Sequence, residues 1–269
     1  MTAVPTEVLV ETVSERRRSL IWWALALVAL IGLNIAFYPS VRDSASLSDY
    51  GKDLPKGLRA LFAGGEIDIA SPVGYLNSQV YALMAPLLLM IFSIGAGSAA
   101  VAGEEERGTL DLVLAHPVRR RDYVIQRFLA IAALVGVLTV VVLASVALGS
   151  WLVDLEIGFD NLVAASVSVG LLALLFGALA LAAGSIAPGR ARAISVAAAV
   201  AVAGWMLDGL GQSVDALDPW RPVSPFYQAL GHSPLRDGAP WGGWAVLALV
   251  TGVLVLCGAL GLERRDVRQ

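Results

Sequence analysis

The amino-acid sequence predicts an all-α polytopic membrane protein. Six transmembrane helices, a short cytoplasmic helix between the second and third, and cytoplasmic N and C termini are expected. Three observations carry this. Hydrophobic residues make up 57% of the 269 and charged ones only 15%, with a mean hydropathy of +0.74, whereas a soluble domain carries roughly 25% charged residues. Six apolar runs approach or exceed the length of about 20 residues that crosses about 30 Å of hydrocarbon. Lys and Arg are also spread unevenly over the segments between those runs.

In chain order, residues 1–18 form a tail in which Val8, Leu9 and Val13 give one apolar face that can lie along the inner membrane surface; a short solvated tail is the alternative. The first span is 19–38. Arg16, Arg17 and Arg18 before it resemble the basic start of a signal peptide. The apolar stretch exceeds the usual core of about 7–15 residues, and "NIAFYPS" is a poor cleavage site, so the span is retained. An outer segment, 39–78, follows. Pro72, Gly74 and Asn77 predict that its end is loop or interfacial, which starts the second span at 79 and ends it at 102. The remaining spans are expected at 128–151, 162–186, 193–212 and 243–262, with a second outer segment over 208–242. Cys257, the lone cysteine, lies in the last run and excludes an intrachain disulfide or a cysteine metal cluster.

Six spans bring four segments to one side: the N-terminal tail, 104–127, the loop with Arg190 and Arg192, and the C-terminal tail. Together they hold 13 of the 19 basic residues, which marks that side as cytoplasmic. Trp22, Trp23, Trp151, Trp241 and Trp244 fall near span ends, as an aromatic belt requires.

Several function classes find no support. The chain has no HExxH, no GxSxG and only two histidines, His116 and His232. His232 beside Ser233 reads as part of a Gly/Pro-rich turn. "GSIAPGRA", 184–191, has phosphate-loop spacing, but Arg190 and Ala191 replace the Lys and Ser/Thr that bind phosphate and magnesium. Span centres offer Asn34, Ser93, Thr139, Ser145 and Ser195, not the buried charges that ion coupling needs. Asp208 is the one ambiguous acid, read as a helix end or a group at the outer mouth. Small residues recur every four positions at Gly95, Ala99 and Gly103, and at Ala173/Gly177 and Ala180/Gly184. This predicts close packing of the second and fourth spans.

The densest charge lies in "AGEEERGTLDLVLAHPVRRRDY". Glu104, Glu105 and Glu106 mark where the second span leaves the membrane. Gly108 permits a bend, and Thr109 can cap a new helix with Asp111 in its first turn. Leu110, Val113, Leu114 and Pro117 then fall on one apolar face, Pro117 ends the helix, and Arg119, Arg120 and Arg121 anchor the return. Such a helix suits docking: apolar knobs for a partner's cleft, and charges that fix its angle.

"EEERGTLDLVLAHPVRRRDYVIQRFLA" resembles the segment after the second helix in permease subunits of ABC-2-type transporters, roughly E-x-E-x-G-T-L-E-x-L-L-S-x-P-V-S-R. Glu104, Glu106, Gly108, Thr109, Leu110, Leu114, Pro117, Val118 and Arg120 match, while Asp111 stands for Glu and Ala115 for Ser. "SPFYQALGHSPLRDG", 224–238, is similar to the outer segment between the fifth and sixth helices of many bacterial members. The resemblance implies that 104–121 contains the coupling helix. Glu104, Glu106, Gly108, Thr109, Leu110, Val113, Leu114 and Pro117 would contact separate ABC ATPase subunits, the acids pairing with basic groups there. It also implies a second permease subunit, identical or paralogous, and a pathway at the permease–permease interface built from the second and fifth spans. Gly95 and Ala99 suit that interface, and Asp208 could lie at its mouth. ATP and Mg2+ would bind the partner, leaving this chain non-catalytic and without a cofactor, in the inner membrane of a prokaryote and without a nucleic-acid partner. Export is the expected direction; the substrate is not specified. The alternatives are an ATP-independent secondary transporter or channel, and a membrane-embedded enzyme or assembly factor, such as a hydrolase using His232 or Asp208.

Overall fold

The computed structural model describes residues 6–42, 71–108, 119–155 and 157–264, with the side chains of the first helix described from 17 to 40. Among these residues every regular element is helical. Six helices are long and apolar enough to cross a membrane: Arg17–Ser40, Pro72–Ala100, Arg120–Leu152, Phe159–Ile186, Arg190–Gly211 and Trp241–Arg264.

The first, α1 (Thr6–Arg42), joins tail and span in one helix. Residues 6–31 contain neither Gly nor Pro, so nothing in the sequence separates tail from span, and Pro39 falls only in the last turns of the helix. The second span also begins earlier than residue 79. Ser71 Oγ accepts the Gly74 N–H at 3.1 Å, and Pro72 takes the first helical position, where a missing N–H costs nothing. α2 (Pro72–Leu76) passes into a π-helical stretch, Asn77–Met84, and then into α3 (Ala85–Ala100). After a break at Val101, the short α4 (Ala102–Glu106) follows.

The third span, α5 (Arg120–Leu152), starts well before 128, so charged residues that hydropathy leaves outside the span belong to its first turns. The next helix, α6 (Phe159–Ile186), is buried around most of its circumference and forms the centre of the bundle. α3 packs closely on it. A Cβ on Gly97 would lie 2.2 Å from the Gly177 carbonyl oxygen, so the helices meet backbone to backbone. The second and fourth spans therefore do pack through small residues, but Gly95 is not among them: a Cβ there would meet nothing within 4 Å. α1 packs on α5 and leaves Trp22, Leu25 and Phe37 exposed; α7 (Arg190–Gly211) exposes Val196, Val202 and Met206. In a bilayer such apolar faces can meet lipid or another apolar helix.

The segment between α7 and the last span, α10 (Trp241–Arg264), is not an outward loop. A 3-10 turn, Asp218–Val223, leads into α8 (Pro225–Leu230) and α9 (Pro234–Asp237). Phe226, Ala229, Pro234 and Leu235 are buried. Phe226 lies against Phe176 of α6, ring centroids 6.0 Å apart, and Ser224 Oγ donates to the Gly204 carbonyl of α7 at 2.8 Å. A Cβ on Gly243 would lie 2.0 Å from the Gln228 carbonyl, so α8 also sits hard against α10. The polar composition of 208–242 reads as a loop, yet its few apolar side chains draw it back between α6, α7 and α10.

Candidate functional site

The expected coupling segment begins on α4, and its stem is held from two sides. At the Val101 break (φ −119°, ψ −62°) the Glu104 N–H bonds Val101 O at 3.1 Å, leaving the Ala100 carbonyl without its usual helical partner. The hydroxyl of Tyr123, on α5, lies 3.1 Å from that carbonyl and also within reach of Glu104 Oε2. With one proton it donates to one of the two at a time. Arg127, one turn further along α5, donates from Nε to the Tyr123 oxygen at 3.1 Å and from Nη2 to Glu104 Oε1. Side-chain exposure is 12% for Arg127 and 11% for Glu104, so this is a largely desolvated ion pair. The neighbouring acid behaves differently. Glu106 is exposed, and its Oε1 accepts the backbone N–H of Arg190, first residue of α7, at 2.7 Å.

The structure thus assigns the two acids separate duties. Glu104, expected from the resemblance to pair with basic groups of an ATPase, is turned inward onto Tyr123 and Arg127 within this chain. Glu106 remains exposed but already holds α7. Gly108 closes the stem with φ +69°, a left-handed conformation that suits glycine, and its N–H donates to Glu105 O at 2.9 Å. Thr109, Leu110, Val113, Leu114 and Pro117 lie outside the described residues, as does His116.

The remaining candidates are dispersed. Ala99 is buried on α3, whereas Gly95 is half-buried with open space beside it. Asp208 lies near the far end of α7, where its Oδ1 accepts from Arg221 Nε at 3.3 Å and Nη2 at 3.2 Å. That guanidinium also reaches Asp218 and stacks over Tyr227, 5.0 Å from the ring centre. Asp208 therefore fastens the folded-back segment to α7. Replacing it with alanine is expected to leave Arg221 only the exposed Asp218 as an acid partner and to cost about 1–3 kcal/mol in detergent unfolding, with Asp208→Asn, which keeps an acceptor, costing less. His232 packs against the Tyr227 ring at 5.2 Å. Among the described residues no group of His, Cys, Asp or Glu could hold a metal ion.

Sequence reasoning missed Tyr123 and Arg127. Their i, i+4 spacing put them on one face of α5, but their partner stands 23 positions from Arg127, beyond the reach of local pattern. The structure also brings α4, the start of α5, the start of α7 and the end of α10 together at one end. A Cβ on Gly103 would lie 3.6 Å from Arg190 Cδ, one on Gly184 would lie 3.1 Å from Ala102, one on Gly261 would touch Ile186, and Arg120 Nη1 donates to Leu262 O at 3.4 Å.

A family described as "ABC-2 family transporter protein" matches residues 8–266. No match is found among curated proteins. Nearly the whole chain falls within the family match, from the helical tail through all six spans. The chain belongs to the ABC-2 transporter family and is a multi-pass membrane transport protein.

Proposed function

We propose that the chain is the permease subunit of an ATP-driven exporter in the inner membrane of a prokaryote, working with separate ATPase subunits that bind ATP and Mg2+. The observation that carries this reading is the family match over residues 8–266. The basic end faces the cytoplasm, by the excess of Lys and Arg gathered there. The segment 104–121 contacts the ATPase through Gly108, Thr109, Leu110, Val113, Leu114 and Pro117, with Glu104 and Glu106 holding its stem. Two permease subunits, identical or paralogous, enclose the pathway between their second and fifth spans. In support, a cavity of about 230 Å³ lies between these spans and Phe226, lined by Pro86, Met90, Ala201 and Trp205 among other apolar groups. It favours hydrophobic or amphipathic cargo. Half-buried Gly95 leaves room on α3 for a second subunit.

The test is purification of the tagged chain from its native membrane. A Walker-A-bearing ATPase is expected to accompany it. Leu114→Asp is expected to leave the chain in the membrane at normal level but to lower the retained ATPase at least about tenfold, since a carboxylate would enter an apolar cleft. An unmodified chain that retains no ATPase would sink the reading. So would a Leu114→Asp chain that retains it in full and still transports.

A further inference from the structure

α7 starts without a cap of its own. Gly189, the residue before it, has φ +110° and no side chain to accept the free N–H groups of the first turn. Arg190 places its N–H on Glu106 Oε1 instead, so a carboxylate from α4 supplies the cap and complements the positive end of the helix. On the same short helix, two residues earlier, Glu104 is held by Arg127 and Tyr123 of α5. Packing reinforces both joints: Gly103 closes on the Arg190 side chain, and Ala102 on Gly184. We infer that Glu106 is a positioning residue, and that α4 is a rigid cross-tie that moves the basic end of α7 together with the stem of segment 104–121.

The inference rests on the proposed role of that segment as the place where an ATPase acts. Three helices then respond to one displacement. A push on the stem reaches α5 through the Glu104 ion pair and reaches α7 through the Glu106 cap. α7 lines the apolar cavity through Ala201 and Trp205, so motion delivered to its first turn is delivered to the cavity wall. The carboxylate charge is secondary to this; what the cap needs is an acceptor at the position of Oε1.

Spin-label distances test the tie. In a Cys257→Ala background, labels are placed by Arg107→Cys and Arg192→Cys, both exposed, with a reference label from Trp22→Cys on α1. The chain, with its ATPase, is measured by pulsed electron resonance without nucleotide and with ATP and Mg2+. One narrow 107–192 distance, the same in both states, is expected, while the 22–107 and 22–192 distances change together. Glu106→Gln, whose amide oxygen still accepts, should keep this behaviour. Glu106→Ala should lose the narrow 107–192 peak and let only the 22–107 distance respond. A narrow peak that survives in Glu106→Ala overturns the inference, and so does nucleotide that separates positions 107 and 192 in the unmodified chain. If no ATPase accompanies the chain, the proposed function falls, and the nucleotide-free comparison of Ala with Gln still decides the tie.

Discussion

Gly97→Ala is expected to destabilise the bundle by about 3 kcal/mol, at the upper end of what overpacking usually costs. The added Cβ would stand 2.2 Å from the Gly177 oxygen, and that atom is backbone on the central helix, so no rotamer change relieves the clash. α3 and α6 must part, and with them the contacts that close packing of small residues provides. Two comparisons make the expectation specific. At Gly177 the first obstacle is Ser93 Oγ at 2.1 Å, a side-chain atom that can turn, so Gly177→Ala should cost less. At Gly95 nothing lies within 4 Å, and alanine should change unfolding in detergent by no more than about 0.5 kcal/mol. Equal effects at Gly95 and Gly97 would contradict this account of the helix contact.

Arg127→Met is expected to cost about 3–5 kcal/mol, because it takes the Arg127 counter-charge from a Glu104 carboxylate that is 11% exposed. Pairing it with Glu104→Leu should recover most of that loss, since an apolar pair removes the uncompensated charge. The coupling in a double-variant cycle measures the ion pair itself. Tyr123→Phe should fall between, at about 1–3 kcal/mol, for it leaves the Ala100 carbonyl at the helix break without its donor. Additive losses from the two single changes would show that Glu104 and Arg127 do not act on each other.

Much of this architecture was legible from hydropathy, because lipid forces backbone hydrogen bonds inside each span and so makes spans long and apolar. Their ends were less so. Ser71 and Pro72 form a helix start that composition reads as loop, and Arg120 to Arg127 are helical although charged. The close approach of the second and fourth spans was visible as small-residue spacing, but the side of α3 that makes it was not. Residues 93–103 carry overlapping small stripes, and only the partner's groove selects Ser93 and Gly97 over Gly95. Glu104 stood out in the sequence, yet its meaning depended on Arg127. The apolar face of Leu110, Val113 and Leu114 lies outside the described residues, so its role rests on pattern and family likeness alone.

The folded-back segment also dictates an order of assembly. Its walls are α6, α7 and α10: Phe176 behind Phe226, Gly204 beside Ser224, and Gly243 beneath Gln228. Two of these precede the segment in the chain, while the third follows it. During biogenesis residues 218–240 therefore wait, incompletely housed, until α10 has been integrated. Docking of this insert thus follows synthesis of α10, and a nascent chain halted before Trp241 lacks part of the surface that would receive it.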